Sequence, residues 1–122
     1  MAIWAMAFDD RIQASVSNCG CIDYKHSLAR ETGVQPEFCV PGVMQAGDIG
    51  DVVRLAAPRA LRIQAAEEDK WSRGAEATFE YAVSAFPEGQ LELRTWPGGH
   101  MFTEEMRRSA YGFLDRHLRG GA

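Results

Sequence analysis

With 122 residues and 46% hydrophobic content the chain can bury a core of its own, and nothing in it suggests two, so residues 1–122 are read as a single domain. A formal charge of −4 and a pI near 5.3 leave no basic stripe to neutralise phosphates, so nucleic acid is not an expected partner. No apolar run is long enough to span a bilayer, and no membrane partner is expected.

Met1 to Phe8 is apolar almost all round, as in a buried helix, and too short to be stable alone. It reads as the tail of a helix. It lacks a basic n-region and is closed by Asp9 and Asp10, so it is assigned to the fold and not to a secretory leader. Ile12, Ala14 and Val16 then alternate with Gln13, Ser15 and Ser17, which predicts a strand over Ile12 to Ser17. From Ile22 to Gly47 there is no clear period, and Gly33, Pro36, Pro41, Gly42 and Gly47 mark a long excursion with one helical turn near Ser27 to Thr32. Segments of this kind commonly cap a binding site or are mobile.

Asp48 reads as an N-cap, with Ile49, Val52, Val53 and Ala56 on one helical face before Pro58 forces the chain out of helix. Leu61 to Ala66 is the second predicted strand. Ser72 is read as the cap of the next helix, whose buried stripe is Ala75, Phe79, Ala82, Val83 and Phe86, and Pro87 to Gly89 ends it. The third strand is Gln90 to Trp96, with Leu91, Leu93 and Thr95 on one face. A last helix begins near Thr103, carries Glu104 and Glu105 where they suit the helix dipole, and buries Met106, Ala110, Phe113, Leu114 and His117. Helix tail, strand, helix, strand, helix, strand, helix is an α/β pattern, and right-handed crossovers make it a three-layer fold around three parallel strands in sequential order.

In such a sheet the carboxyl ends of the strands share one rim, so Asp69, after the second strand, and His100, after the third, should meet there. A carboxylate that fixes an imidazole's tautomer is the orienting half of a nucleophilic triad. No G-x-S-x-G elbow supplies the other half: Ser15, Ser17 and Ser27 lack flanking glycines, and Ser72 has a glycine on one side only. The competing readings are structural, with Asp69 a helix cap and His100 a turn histidine. Asp23, just past the first strand, is a rival acid, and Glu67 and Glu68 are read as solvated. Gly98 and Gly99 are expected to shape the turn before His100. Cys19, Cys21 and Cys39 are odd in number, and Cys19 and Cys21 are too close for a disulfide framework, so reduced thiols in a cytoplasmic protein are expected. Cys19 and Cys21 stand at the same strand-end rim, where a Cys-His-Asp arrangement is an alternative, but no cation or helix end is evident to activate either thiol, and both are read as buried small residues that line the pocket. His26 and His117 make no metal spacing with His100, and neither metal nor cofactor is expected.

Ala57-Pro58-Arg59, Glu67 to Gly74, Trp96-Pro97-Gly98-Gly99-His100-Met101-Phe102 and the helix to Leu118 resemble the C-terminal half of α/β-hydrolases of the dienelactone hydrolase and acetyl xylan esterase-like group. The resemblance covers about Met1 to Leu118. It implies that Asp69 is the catalytic acid, His100 the catalytic histidine, and Tyr24, Trp71, Met101 and Phe102 the border of the substrate space. Met1 to Phe8 would match the end of the helix after the nucleophile elbow, so the strands before it, the elbow serine and the oxyanion-hole loop lie outside the matched region. Two function classes follow. One is part of a serine-type ester hydrolase, inactive unless an N-terminal half completes it for a small-molecule ester. The other is a non-catalytic α/β interaction module or remnant, associating through its open sheet edge, most simply as a homodimer.

Overall fold

The structure is a computed structural model and describes residues 1–25 and 39–119. The turn expected near Ser27 to Thr32 lies outside the described residues. Three strands, β1 (Ala14–Asn18), β2 (Ala60–Ala66) and β3 (Leu91–Trp96), form one sheet in the order β1-β2-β3. Both pairings are parallel, with Ala14 opposite Ala60 and Leu61 opposite Leu91. The central strand is buried throughout.

The first strand begins two residues later than expected because Asp9 to Gln13 is tied into a turn. Ile12 N–H donates to Asp9 O at 3.1 Å, and the Arg59 guanidinium donates to Asp9 O and Ile12 O at 2.8 and 3.0 Å. Ahead of this turn, α1 (Ala2–Phe8) buries Ile3 and Met6. A short helix that hydrophobic period did not reveal, α2 (Val43–Ala46), runs between Gly42 and Gly47. Asp48 caps α3 (Ile49–Leu55) as expected: its carboxylate accepts from Ile49 N–H, and Asp51 accepts from Asp48 N–H in return. The same Asp48 carboxylate takes Tyr24 and Lys25 N–H at 2.8 and 3.1 Å, pinning the start of the excursion to this helix.

Helix α4 (Ala75–Ala82) starts at Gly74, not at Ser72. Gly74 has φ +85, and a Cβ there would stand 2.5 Å from Asp23 Cγ, so no side chain fits. Ala75, Ala82 and Phe86 are buried and Phe79 packs against the core, but Val83 is 39% exposed. The reason is local. The α-helix ends at Ala82 and tightens to a 3₁₀ turn at Val83–Ala85, and three residues per turn rotate Val83 away from the stripe.

The odd residues of β2, Leu61, Ile63 and Ala65, pack in one cluster with Ile3, Met6, Ile49, Val52, Val53, Ala75 and Ala82, so α1, α3 and α4 cover one face. The other face takes α5 (Glu104–Arg119), which buries Met106, Ala110 and Phe113 and leaves Leu114 and His117 half-buried. Thr103 Oγ1 accepts from Met106 N–H at its start. Beneath α5 lies Arg62, a charge in the middle of the central strand with 2% exposure. Its guanidinium pairs with Glu92 on β3, donates to Ser109 O and Oγ at 2.6 and 3.0 Å, and sits 4.6 Å from the Phe113 ring. Arg116 reaches the other Glu92 oxygen at 2.9 Å. Thus β2, β3 and α5 are joined by one polar network in the low-dielectric layer between sheet and helix.

Cys21 belongs to the larger core and is 1% exposed. Burial pushes its thiol up from 9.0 to about 12. Above pH 9 the unfolded thiol releases its proton while the folded one keeps it, so the unfolded state binds fewer protons and stability falls as pH rises, until the folded thiol ionises near 12. Urea midpoints should therefore fall more steeply over this range in the native chain than in Cys21→Ala. Parallel pH profiles for the two would sink the assignment.

Candidate functional site

The carboxyl ends of all three strands converge on one rim, and main-chain hydrogen bonds extend the pairing past the strands. Cys19 N–H donates to Gln64 O at 2.8 Å, Glu67 N–H to Trp96 O at 3.0 Å and Glu68 N–H to Gly98 O at 2.9 Å. Those bonds carry the loop bearing Asp69 alongside the loop bearing His100. As a result His100 Nδ1 lies 3.1 Å from Asp69 Oδ1. With its proton on Nδ1, the imidazole donates to the carboxylate and presents Nε2 as the basic nitrogen.

The two side chains differ sharply in exposure, 62% for the His100 side chain against 1% for that of Asp69. A buried carboxylate is tolerable only with its oxygens occupied. Here Oδ1 also accepts from Trp71 N–H at 3.1 Å, and Oδ2 accepts from Ser72 Oγ–H at 2.7 Å. Ser72 Oγ in turn accepts from Ala66 N–H at 3.2 Å, at the end of β2. Asp69 therefore caps the 3₁₀ turn at Lys70–Ser72 while facing the imidazole, so its capping and pairing roles coexist. Ser72 is a support for that carboxylate and not a helix cap. Its hydroxyl donates to Asp69 Oδ2 and not to the imidazole. Ser72→Ala should cost about 1–3 kcal/mol, the range for leaving a buried acceptor unpaired. A shift in urea midpoint corresponding to less than a few tenths of a kcal/mol would mean that water replaces it.

Gly98, at φ +105, makes the turn before His100 possible, and a Cβ there would meet Met101 Cε at 3.1 Å. Gly99 has no such requirement: its φ is not in the left-handed region and the space around it is open, contrary to the expectation from sequence. Met101 is half-buried, and its carbonyl accepts from Asn18 Nδ2 at 2.8 Å and from Cys19 Sγ at 3.4 Å. Cys19 stands in the left-handed region at φ +47 and is 3% exposed. Burial pushes its thiol up from the ordinary value. With Ala66, Trp96 and Met106 it forms a small apolar cluster, against which Met101 packs. Phe102 is 52% exposed, and Trp71 is half-buried under the Lys70 ammonium, which lies 4.8 Å from its ring. Tyr24 is buried, its hydroxyl without a hydrogen-bond partner among the described residues. Glu67 and Glu68 are exposed, as expected. Asp23 is buried and lines a separate cleft with Lys25, Asp48, Asp51, Thr78 and Tyr81.

This three-layer arrangement has the fold of the C-terminal part of an α/β-hydrolase. Two solved esterases carry the likeness. One is a promiscuous CE15 esterase from the marine bacterial metagenome, with a TM-score of 0.67 and 22% identity over 95% of this chain and 38% of that one. The other is a carbohydrate esterase family 15 glucuronoyl esterase from Caldicellulosiruptor kristjansonii, with a TM-score of 0.65 and 21% identity over 99% of this chain and 41% of that one. The chain thus spans about two fifths of the length of either. No family profile and no curated protein matches it. Among the described residues no helix is long and apolar enough to cross a membrane.

Proposed function

We propose that this chain is the C-terminal portion of a serine-type carboxylic-ester hydrolase, with Asp69 as the acid, His100 as the general base, and the nucleophile supplied by a segment outside these 122 residues. The observation that supports it most is the buried Asp69 carboxylate, hydrogen-bonded by Trp71 N–H and Ser72 Oγ–H and set 3.1 Å from the Nδ1 of an imidazole whose side chain is 62% exposed. Asp69 keeps the proton on Nδ1, and Nε2 takes the proton of an incoming serine hydroxyl, then returns it to the leaving alcohol. Trp71, Met101, Phe102 and Tyr24 border the ester. That the structural neighbours are carbohydrate esterases favours a carbohydrate ester, and the Glu67 to Gly74 and Trp96 to Phe102 motifs favour the dienelactone hydrolase and acetyl xylan esterase-like group. A fluorophosphonate probe tests the reading: it should label a version extended at its amino end by an elbow-bearing segment and leave the isolated chain unlabelled. Labelling of the isolated chain would overturn it.

A second reading, a non-catalytic module, draws on the sheet edge. Among the described residues β1 pairs with β2 alone, and Phe8 beside it is 72% exposed. Open edges and exposed apolar side chains invite partners. The isolated chain should therefore self-associate, most simply as a homodimer, when studied by light scattering at high concentration. A monodisperse monomer there would count against any use of this edge.

A further inference from the structure

The hydrolase reading leaves one group at the rim without a task. Cys19 Sγ, a carboxylate oxygen of Asp69 and a ring nitrogen of His100 all lie within 4.8 Å of one another. They come from the ends of three different strands, so no local sequence spacing announces them. Ligands held tetrahedrally at about 2.0–2.3 Å from a zinc ion stand roughly 3.3–3.7 Å apart, which small side-chain movements reach from here. The donor set is one sulfur, one imidazole nitrogen and one carboxylate oxygen, a combination that suits a borderline-soft divalent cation over magnesium or calcium. Two neighbouring features add to this. Asn18 Oδ1 is buried without a partner among the described residues, and the Nδ2 of the same amide shares the Met101 carbonyl with Cys19 Sγ. Above them the exposed His100 leaves a way in from solvent.

We propose that Cys19, Asp69 and His100 form a three-donor site for zinc or a zinc-like cation. On binding, the Cys19 S–H bond breaks, its proton passes to solvent and a sulfur–metal bond forms. In neutral imidazole the proton on Nδ1 gives way to one on Nε2, which frees the Nδ1 lone pair for the metal, so one proton is released per cation. Affinity accordingly falls as pH is lowered. A cation seated there separates His100 Nδ1 from Asp69 and withdraws the imidazole from service as a base, so the metal would act as an off-switch for the proposed hydrolase.

Cobalt(II) tests the site on the chain as it stands, under reducing conditions, with exposed Cys39 replaced by serine. This needs neither nucleophile nor ester, so it can fail while the hydrolase reading stands, and the reverse. The expected result is one equivalent of cobalt with a thiolate-to-cobalt charge-transfer band and release of one proton. Cys19→Ser should remove the band. His100→Gln, at an exposed position that folding does not depend on, should weaken binding at least about tenfold, the lower limit for losing even a group that only supports a ligand. Absence of a thiolate band, a band that survives Cys19→Ser, or unchanged affinity in His100→Gln would each overturn the site. If Cys19→Ser loses its native circular dichroism, the His100→Gln titration decides.

Discussion

Joined to an amino-terminal segment that carries a nucleophile elbow and an oxyanion-hole loop, on one polypeptide or in trans, the chain is expected to hydrolyse simple aryl esters. Alone it should not exceed the background of free imidazole. The asymmetry follows from what the rim contains. An imidazole held by a buried carboxylate is a positioned base, but acyl transfer also needs a hydroxyl or thiolate within hydrogen-bond reach and N–H donors where negative charge develops on the carbonyl oxygen. Among the described residues, the hydroxyl nearest the pair belongs to Ser72, whose proton is held by Asp69 Oδ2. In the completed protein His100→Ala should remove nearly all turnover. Asp69→Asn should lower kcat roughly 10⁴-fold, the loss seen when a triad imidazole is held in the wrong tautomer. Stopped-flow or plate assays on folded variants decide the matter: an Asp69→Asn protein within tenfold of the parent would sink the acid assignment. If the isolated chain, with exposed Cys39 replaced by serine, turns over and iodoacetamide abolishes the activity, Cys19 or Cys21 becomes the nucleophile to test first.

Glu92→Ala should be the most damaging single substitution in the layer between sheet and α5, at about 3–5 kcal/mol, the range for leaving a buried charge uncompensated. The charge left behind is Arg62, at 2% exposure, with Ser109 and the Phe113 ring as its remaining neighbours. Removing the cation instead is milder. Arg62→Met keeps most of the volume, and Glu92, whose side chain is 28% exposed, still holds Arg116. The double variant Arg62→Met with Glu92→Ala should therefore recover much of what Glu92→Ala loses. Domains of this size have about 5–15 kcal/mol of stability in all, so Glu92→Ala can leave the protein marginal. Chemical denaturation checks the order, and an Arg62→Met protein less stable than Glu92→Ala would refute it. Because this network clamps the helix that follows His100, the less stable variant should also show the looser rim.

The sheet was legible from sequence because strand and helix segments alternate in period along the chain, and a parallel order of three strands follows from connection rules alone. Asp69 and His100 were legible for the same reason: both stand just beyond strand ends. What escaped depends on contacts no period encodes. Ser72 looks like a cap because serine before a helix usually is one, yet Gly74 takes the start of α4 and the hydroxyl turns back to Asp69. Val83 fits the helical stripe until the helix tightens at Ala82. Cys19 belongs at the rim by its place just past the first strand, but the left-handed backbone at this residue, which non-glycine residues seldom adopt, is not encoded in the strand pattern. Arg62 and Gln64 alternate with Leu61, Ile63 and Ala65 as on a half-solvated strand, and only α5 reveals that both faces are covered.

The unequal exposure of the two paired side chains divides the rim by mutational tolerance. Asp69 is anchored into the protein by Trp71, Ser72 and, through Ser72, the end of β2, so replacing it disturbs folding as well as chemistry. His100 is held on one side only and is otherwise solvated, so the fold does not require it. In a library selected for solubility alone, position 69 should stay narrow and position 100 should accept almost any residue. Under a selection for turnover in the completed protein both positions should narrow together, and the difference between the two profiles at position 100 would measure how much of that histidine is kept for chemistry.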